Sequence, residues 1–572
     1  MTQPSNNSKN HQGNSDKSAP EINQKLIVDQ SKNEGNIGQA GNNLTQTINK
    51  LFLSLITISR EVKITINRTS VVTAHRRCHP IIVFIIFLMT PAPIILLRAI
   101  HFFEGYELAF YDFLMSNRPP SEKDKRFLIV TVDDQDFKIQ LEEPDETMRG
   151  SLSDETLAEL LKKAKSMNPI AIGLDVYRDY PLSEENNSAL EKILREGKEE
   201  GTPIFTACKT VANQDQNEYD DNPILAPSFS LENQIGFVNF AHERDEVVRR
   251  ALLAIYRQSA EVETSTSPNS LAQPKTCDTE KSFGLLVAEH YLQKEEGIKT
   301  NLKTSEKKCK ISFSNAFSKD VVLPNILANT GGYQGYNNKG RGLFGGCQIL
   351  LNYPGIDLRK RYDQVSLRSF LRIGTEDENN FHIDAPQNRI ILIGVTRDNM
   401  DEWRIPYKPN NNIDKTDQMV KGVFIQANII SQVIDAARGE RVLIHILLSP
   451  KEDYILMFVL SFIGAGVGYF ALRSPSLFLT NLGIACAISL SISYFAFEKI
   501  GPFDKNYWLP LLPHTLVYLT TSSLICVLNL PASPNDNPSH SKTNPSLTQT
   551  MREAEEMGPK VPSKETEESS NG

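Results

Sequence analysis

The 572-residue sequence predicts an α/β extracytoplasmic domain, with a mixed and mostly parallel sheet and flanking helices, joined to four transmembrane α-helices. Two observations predict this class. Between residues 99 and 450, short β-branched apolar runs alternate with amphipathic segments, which is typical of a parallel sheet covered by helices. Four apolar segments at the two ends of this region have the length of a membrane span.

The first elements of the domain are two predicted strands, at residues 127–134 and 169–175, which each end at an aspartate. Their β-branched, apolar composition is typical of buried parallel strands. Residues 153–167 between them carry apolar side chains three or four positions apart, which predicts a helix with Ser151 or Ser153 as its N-cap. Together these pieces form a predicted βαβ unit with a right-handed crossover.

The remaining elements follow from the same two periodicities. We predict helices at residues 104–115, 188–195, 283–293, 366–373 and 421–435, and strands at residues 203–207, 348–353 and 389–394. Residues 235–240 and 247–256 are interpreted as an antiparallel pair joined by a charged turn. Residues 257–281 and 296–345 are rich in Ser, Thr, Lys, Asn and Gly, so we interpret them as insertions or long surface loops.

Four apolar segments predict the transmembrane helices. They cover residues 81–98, 454–472, 476–497 and 509–530. Pro91 and Pro93 predict a kink in the first helix, because proline interrupts the helical hydrogen-bond ladder. Gly464 and Gly468 form a GxxxG pattern, which favours close packing of the second helix against a neighbour.

Basic residues around the first segment predict the orientation of the chain. Only Arg98 lies close to the far end of this segment, whereas five basic residues precede the segment: Arg60, Lys63, Arg68, Arg76 and Arg77. The positive-inside rule therefore predicts a cytoplasmic N-terminus. Four spans then return the C-terminus to the cytoplasm and leave residues 99–450 outside the inner (plasma) membrane of the cell.

The segments beyond the spans are polar. Residues 1–49 and 531–572 contain few large apolar groups, so we predict disordered cytoplasmic tails. Residues 50–80 are basic and partly apolar, which is typical of a juxtamembrane segment at the membrane interface. The net charge of −8, together with the absence of a basic stripe, argues against a nucleic-acid partner.

Aspartates at the ends of predicted strands are the candidate ligand-binding residues. Because the carboxyl ends of parallel strands meet at one rim of a sheet, we expect Asp133, Asp134, Asp175 and Asp401 to converge there. Such carboxylates bind a cation or a ligand amine, and the sequence leaves open whether a metal is held. Alternatively, they cap the following helices and accept hydrogen bonds from loop amides.

Arg249 is a further candidate. Arg249 and Arg250 are neighbours on a predicted strand, so at most one of them reaches a given pocket. An arginine there holds an anionic ligand group bidentately, or it pairs with a carboxylate of the domain. We favour the structural ion pair.

The outer domain contains neither HExxH nor GxSxG, and its histidines are scattered without metal-ligand spacing. We therefore predict no enzymatic activity and no cofactor. Cys208, Cys277, Cys309 and Cys347 fall outside the predicted membrane, where disulfides are permitted. Cys277 and Cys309 both lie in insertion-like segments and are one candidate pair, but three full pairings, or free thiols, remain open.

Short motifs follow one another in a characteristic order between residues 100 and 440. They are YD and RPP at 111–112 and 118–120, IVTVDD at 129–134, IGLD at 172–175, GFVN and VRR at 236–239 and 248–250, ILIG at 391–394 with Asp401 and a Pro-Tyr at 406–407, and GVFIQAN at 422–428. As an ordered set they resemble the type-two CHASE family, the cyclase/histidine-kinase-associated extracellular sensory domains of bacteria.

The resemblance implies a membrane-anchored sensor that binds an unknown small-molecule ligand and signals through its transmembrane helices. Members of the family typically continue into a kinase, cyclase or phosphatase domain, whereas here a short polar tail follows the last span. The expected partner is therefore a separate cytoplasmic kinase or cyclase, or a second copy of the chain. A structural or scaffolding envelope protein is the alternative, and a transporter or an extracytoplasmic hydrolase is less favoured.

Overall fold

The computed structural model describes residues 79–529, with gaps at residues 101, 143–151, 178–186, 197–201, 211–223, 228–229, 243–244, 256–276, 306–307, 316–317, 326–345, 373–387, 407–418, 441–442, 471–474 and 499–505. The predicted tails, the juxtamembrane segment up to residue 78 and most of the insertion at 257–281 lie outside the described residues. From His79 to Cys526 the chain forms one compact unit.

Helices and strands alternate along most of the described chain. The helices are α1 (Pro80–Met89), α2 (Pro91–Ala99), α3 (Glu104–Ser116), α4 (Asp134–Glu142), α5 (Asp154–Ser166), α6 (Asn187–Glu196), α7 (Phe283–Glu296), α8 (Leu358–Arg361), α9 (Leu367–Arg372), α10 (Gly422–Arg438), α11 (Pro450–Phe470), α12 (Pro475–Phe497) and α13 (Leu512–Asn529). The strands are β1 (Phe127–Val132), β2 (Ala171–Asp175), β3 (Ile204–Cys208), β4 (Ile235–Phe237), β5 (Ala241–His242), β6 (Val248–Ala254), β7 (Lys299–Ser305), β8 (Lys308–Asn315), β9 (Ser318–Val322), β10 (Cys347–Leu350), β11 (Asp363–Ser366), β12 (Ile390–Val395), β13 (Glu402–Arg404), β14 (Met419–Lys421), β15 (His445–Ile446) and β16 (Tyr507–Trp508).

A six-stranded parallel sheet lies at the centre, in the order β11–β1–β12–β2–β3–β4. The predicted strands β1, β2, β3 and β12 are present, and so is α5, whose N-cap Ser153 accepts a hydrogen bond from the Thr156 amide. However, β12 lies between β1 and β2. The predicted βαβ unit therefore joins two strands that are not neighbours.

Both faces of this sheet are covered, which explains why its strands are apolar throughout rather than alternating. On one face, Leu128 and Val130 of β1 pack with Leu157 and Leu161 of α5. On the other face, the intervening side chains of β1 pack with α3, α7 and α10. This second face carries the larger core, because it also receives the antiparallel strands.

In two smaller sheets the structure differs from the elements predicted from the sequence. The expected hairpin of residues 235–240 with 247–256 is wrong in part: β4 extends the parallel sheet beside β3, and β5 is the strand that pairs antiparallel with β6. Residues 299–322, interpreted as part of an insertion or a long surface loop, form the antiparallel meander β7–β8–β9. Strand β7 has the polar sequence KTNLKTS, which hides it from an apolar pattern.

The predicted transmembrane segments are helical where the structure describes them, except at the Thr90 break in the first and at residues 509–511, which precede α13. The kink in the first is present, since α1 and α2 are separated at Thr90 and Pro91 begins α2. In the described part of the chain, two helical stretches are long and apolar enough to cross a membrane, Pro80–Ala99 and Lys451–Tyr469. The apolar stretches Gly483–Phe497 and Leu512–Leu528 are shorter, so four spans are not established by length.

The glycines of the GxxxG pattern allow α11 and α13 to approach closely. A Cβ on Gly464 would lie 2.6 Å from the Tyr518 carbonyl oxygen, and one on Gly468 would lie 2.6 Å from that of Ser522. The Ser461 and Thr521 hydroxyls are 3.0 Å apart at the same contact. The predicted close packing of this helix is confirmed.

Two disulfides cross-link the α/β domain. Cys208 at the end of β3 pairs with Cys277, and Cys309 of β8 pairs with Cys347 of β10, with Cα atoms 5.5 and 5.2 Å apart. The candidate pair of Cys277 with Cys309 is therefore wrong. Because structural disulfides persist in oxidising compartments, these bonds agree with an extracytoplasmic domain.

Candidate functional site

Asp175 and Asp401 come together at the carboxyl-terminal rim of the parallel sheet. Asp175 is the last residue of β2 and is in register with Gly394 of β12. The loop after β12 turns back and carries Asp401 to the same rim, where the charges of the two carboxyl groups interact directly. Of the four predicted aspartates, these two form a pair, as the strand-end argument expects.

Specific contacts hold Asp401. One carboxylate oxygen accepts a hydrogen bond from the Trp403 indole at 2.7 Å, and the other accepts one from the Gly422 amide at 3.0 Å. Gly422 allows this approach, because a Cβ there would lie 2.3 Å from the carboxylate. The backbone of Asp401 has a φ of +49°, a conformation that costs energy for a side-chain-bearing residue and recurs at functional sites.

The surroundings of the pair raise the pKa of both carboxyl groups and so favour their protonated forms. Burial raises the pKa of Asp401 to about 6, against the opposing effects of the Trp403 and Gly422 hydrogen bonds and the Lys421 charge. Burial, followed by the charge of Asp401, raises the pKa of Asp175 well above its usual value. Because the charge of one carboxyl group affects the pKa of the other, the two groups titrate as a pair rather than independently.

Solvent reaches the pair even though protein surrounds it. Asp175 is half-buried, Asp401 is exposed, and the neighbouring Tyr177 is 40 % exposed. Burial, and after it the two aspartates, raises the pKa of the Tyr177 hydroxyl, so that ring lies beside the pair. We call Asp175, Tyr177, Asp401 and Trp403 the acidic recess. It combines two carboxyl groups with two aromatic rings in a place open to a solute.

The loop that carries Asp401 is fixed at both ends. Asp134 accepts hydrogen bonds from the Arg397 guanidinium at 2.9 Å and from the Asp398 amide at 3.0 Å. The hydrogen bond from the Asp398 amide lowers the pKa of Asp134. The hydrogen bond and the charge of Arg397 lower this pKa further. Lys421 donates to the Arg397 carbonyl, to the Met400 carbonyl at 3.1 Å and to Glu402 at 2.8 Å. Asp134 thus positions the recess rather than lining it.

Asp133 follows the alternative interpretation, that of a helix cap. Its carboxylate accepts hydrogen bonds from the Gln135 and Asp136 amides at 2.9 and 3.1 Å, at the start of α4. It also pairs with Arg368 at 2.7 Å. These partners all contact the Oδ1 oxygen and make Asp133 a helix cap and an ion-pair partner, while its role in ligand binding stays a prediction.

Arg249 forms the structural ion pair that the sequence favours. It donates two hydrogen bonds to Asp112 at 2.7 Å each and two to Asp245 at 2.8 and 2.6 Å. Only 1 % of the side chain is exposed. An anionic ligand at Arg249, the other possibility, is not supported, because the two aspartates occupy its guanidinium.

The site also contains four residues that the sequence patterns do not identify as candidates: Tyr177, Trp403, Lys421 and Gly422. The available signal was proximity, since Tyr177 lies two residues after Asp175 and Trp403 two after Asp401. Among the described residues, no group of three or more His, Cys, Asp or Glu side chains is arranged to hold a metal. The recess contributes two carboxyl groups, those of Asp175 and Asp401.

The raised pKa values predict how stability depends on pH. The folded state binds protons that the unfolded chain has lost between pH 3.8 and about 6, so the free energy of unfolding falls as pH rises through this range. Replacing Asp175 with asparagine removes one of the two raised groups. We expect Asp175→Asn to flatten this fall, measured as Tm against pH on the full chain in detergent.

Asp134→Asn is the matched control for this prediction, because the pKa of Asp134 is lowered instead of raised. Its carboxylate contributes stability above the unfolded pKa, and the substitution should therefore lower Tm at neutral pH and change it least at acid pH. Parallel Tm–pH curves for wild type and Asp175→Asn would contradict the raised pKa of Asp175.

Comparison with known proteins agrees with this architecture. The CHASE2 domain family matches residues 83–466, from the first apolar helix through the α/β domain into α11. The match covers more than half of the 572 residues. No curated protein and no solved structure matches the chain significantly. The chain belongs to the CHASE2 domain family, whose domains are extracellular and sensory.

Proposed function

We propose that this protein is a membrane-anchored extracytoplasmic sensor that binds a small molecule in the acidic recess and relays binding through its membrane helices to a separate partner. One observation carries the proposal: at the rim where the adjacent parallel strands β2 and β12 end, the recess brings together two carboxyl groups of raised pKa, of which Asp401 is exposed and Asp175 half-buried. Perturbed ionisable groups in such a position mark functional sites, and α/β sheets bind ligands at this rim.

A protonated amine or another cationic organic group is the ligand chemistry that fits the recess. Binding such a group favours the ionised carboxylates and releases a proton from the pair. Trp403 and Tyr177 offer aromatic faces for the rest of the ligand or for the cation itself. We propose no catalytic role and no cofactor for the recess, and no nucleic-acid partner for the chain.

Buried ion pairs offer a path from the domain to the membrane helices. Arg98 at the end of α2 lies 3.5 Å from Glu107 of α3 and 3.1 Å from Asp453 of α11. His514 of α13 lies 3.1 Å from the other oxygen of Asp453. A shift of α3 therefore changes contacts with three of the membrane-side helices at once. Their partner is a second copy of the chain or a separate cytoplasmic kinase or cyclase.

We further propose that all four apolar helices cross the inner membrane, with both termini in the cytoplasm and the α/β domain outside. Helices α12 and α13 contact each other through Thr515 and Ser489 at 2.8 Å and through Tyr518 and Asn481 at 2.8 Å. Together with the α11–α13 contact, these bonds join the helices as a bundle. The basic residues before the first helix and the disulfides of the outer domain support the orientation.

A thermal-shift screen of the full chain in detergent tests ligand binding. Polyamines, amino acids, betaines and inorganic cations form the panel, and a ligand of the folded state raises Tm by mass action. We expect a hit with wild type that is lost in both Asp175→Asn and Asp401→Asn. Asp320→Asn changes an exposed carboxylate of β9 and should keep the full shift.

The pattern of responses separates the possible outcomes. A compound that stabilises wild type and both recess variants equally binds somewhere else and contradicts the proposed site. No hit across the panel would favour the scaffolding alternative, in which the domain no longer senses a small molecule.

A further inference from the structure

The connecting helix α3 has an exposed face made of aromatic and small residues. Its opposite face packs into the domain core through Leu108, Tyr111 and Met115. Among its exposed side chains, Tyr106 is 48 % and Phe113 is 60 % exposed, and the rings of Phe110 and Phe113 stack with centroids 6.3 Å apart. Gly105 and Ala109 complete this face, which carries no charged side chain. Exposed apolar faces of this kind mark an interaction surface.

Contacts at its two ends orient α3. Near its start, Glu107 and Asp453 flank Arg98, so the helix begins beside the end of α2 and the start of α11. Just after its last turn, Arg118 pairs with Glu498 at 3.2 Å and lies 4.4 Å from the centre of the Phe497 ring, at the end of α12. The helix therefore runs across the domain-side ends of three membrane helices.

A contact at the middle of α3 places the last apolar segment beside this helix as well. Trp508, which precedes α13, lies 6.2 Å from the Phe110 ring and 5.2 Å from the Tyr111 ring. The domain-side ends of the four apolar segments thus lie close to α3, directly or through Arg98 and Trp508, along its length of about 20 Å, taken from 1.5 Å per residue. A helix held in this way lies along the membrane surface and not perpendicular to it.

We propose that α3 is an interfacial helix and that its exposed face, with Tyr106 and Phe113, inserts into the headgroup region of the outer leaflet. The domain core occupies the opposite face of α3, and the exposed rings lie at the level where the apolar helices end, beside Phe497 and Trp508. Aromatic side chains prefer this depth, because the ring is apolar and the environment remains polar enough for a hydroxyl. The inference rests on the proposed membrane topology.

Nitroxide accessibility in lipid tests the proposal on the full chain. A background with Cys78, Cys486 and Cys526 replaced by serine leaves both disulfides intact. Three single-cysteine variants are then labelled and reconstituted into phosphatidylethanolamine–phosphatidylglycerol nanodiscs: Phe113→Cys on α3, Phe84→Cys on the exposed face of α1, and Glu159→Cys on α5. The last is exposed on the far side of the sheet.

Collision rates with oxygen and with a water-soluble nickel complex report depth. We expect the oxygen-to-nickel ratio at residue 113 to be several-fold above that at residue 159 and below that at residue 84. A water-like ratio at 113 with a bilayer ratio at 84 would overturn the interfacial helix and leave the topology standing. A water-like ratio at 84 as well would reject the membrane topology itself.

A third pattern would identify protein instead of lipid on this face. If the label at residue 113 is shielded from both reagents, a second copy of the chain covers the rings, and the lipid proposal is wrong. Phe113→Asp provides an independent measurement. Charge on the proposed lipid face should lower Tm more in lipid than in detergent. Flotation of the reconstituted chain with vesicles should change little. An equal Tm change in lipid and detergent contradicts lipid contact.

Discussion

Replacing Trp508 with alanine is expected to lower the free energy of unfolding by about 3–5 kcal/mol, because the indole is fully buried and its removal leaves a large cavity. The ring is surrounded by other aromatic rings: its centre lies 5.2 Å from that of Tyr111, 6.2 Å from that of Phe110 and 6.5 Å from that of Phe497. Tm of the full chain in detergent measures the loss.

The Trp508 contact also joins the α/β domain to the last apolar helix. Strand β16, which contains Trp508, pairs with β15 directly after the α/β domain. We therefore expect Trp508→Ala to increase protease cleavage in the segment between α12 and α13, in addition to lowering Tm. Trp508→Phe keeps a ring in the cluster and should recover most of both properties. An unchanged Tm in Trp508→Ala would show that the cluster does not support the fold.

Arg249→Ala has an expected cost of similar size, about 3–5 kcal/mol, since removing one partner of a buried ion pair leaves uncompensated charge. Arg249 is 1 % exposed and makes four hydrogen bonds to Asp112 and Asp245. Asp245 is 47 % exposed, so water partly screens its charge, and Asp112, at 22 %, contributes more of the loss.

Arg359→Ala is the matched control for Arg249. Arg359 pairs with Asp357 at 2.8 Å but is 43 % exposed, so its loss should cost about 1 kcal/mol or less. Arg249→Lys should be intermediate, because an ammonium keeps the charge and cannot make the same bidentate contacts. Equal Tm values for Arg249→Ala and Arg359→Ala would contradict a stabilising role of the buried pair.

These two sites differ in how far the sequence could predict them. Arg249 and its preference for an ion pair were predictable, since a buried arginine needs carboxylates. Its partner Asp112, however, is 137 positions away in the chain. Trp508 gave no comparable signal. The rings that surround it in space, Phe110 and Tyr111, belong to α3, which lies far from Trp508 in the sequence. Local patterns report how buried a residue is, whereas partners distant in the chain depend on the whole fold.

The candidate site divides in the same way. Four aspartates end or follow predicted strands, and the sequence treats them alike. In the structure Asp133 caps α4, Asp134 fixes the loop after β12, and Asp175 and Asp401 form the pair. The insertion of β12 between β1 and β2 decides this division, because it puts the loop carrying Asp401 beside Asp175.

By itself, the sequence determined the α/β class, the apolar helices, the parallel strands and the family, because apolar periodicity and ordered motifs are properties of neighbouring residues. Only the tertiary structure decided the strand order, the disulfide pairing, the meander β7–β9 and the two aspartates of the acidic recess. Each of these depends on contacts between segments far apart in the chain, whose free energy no local pattern records.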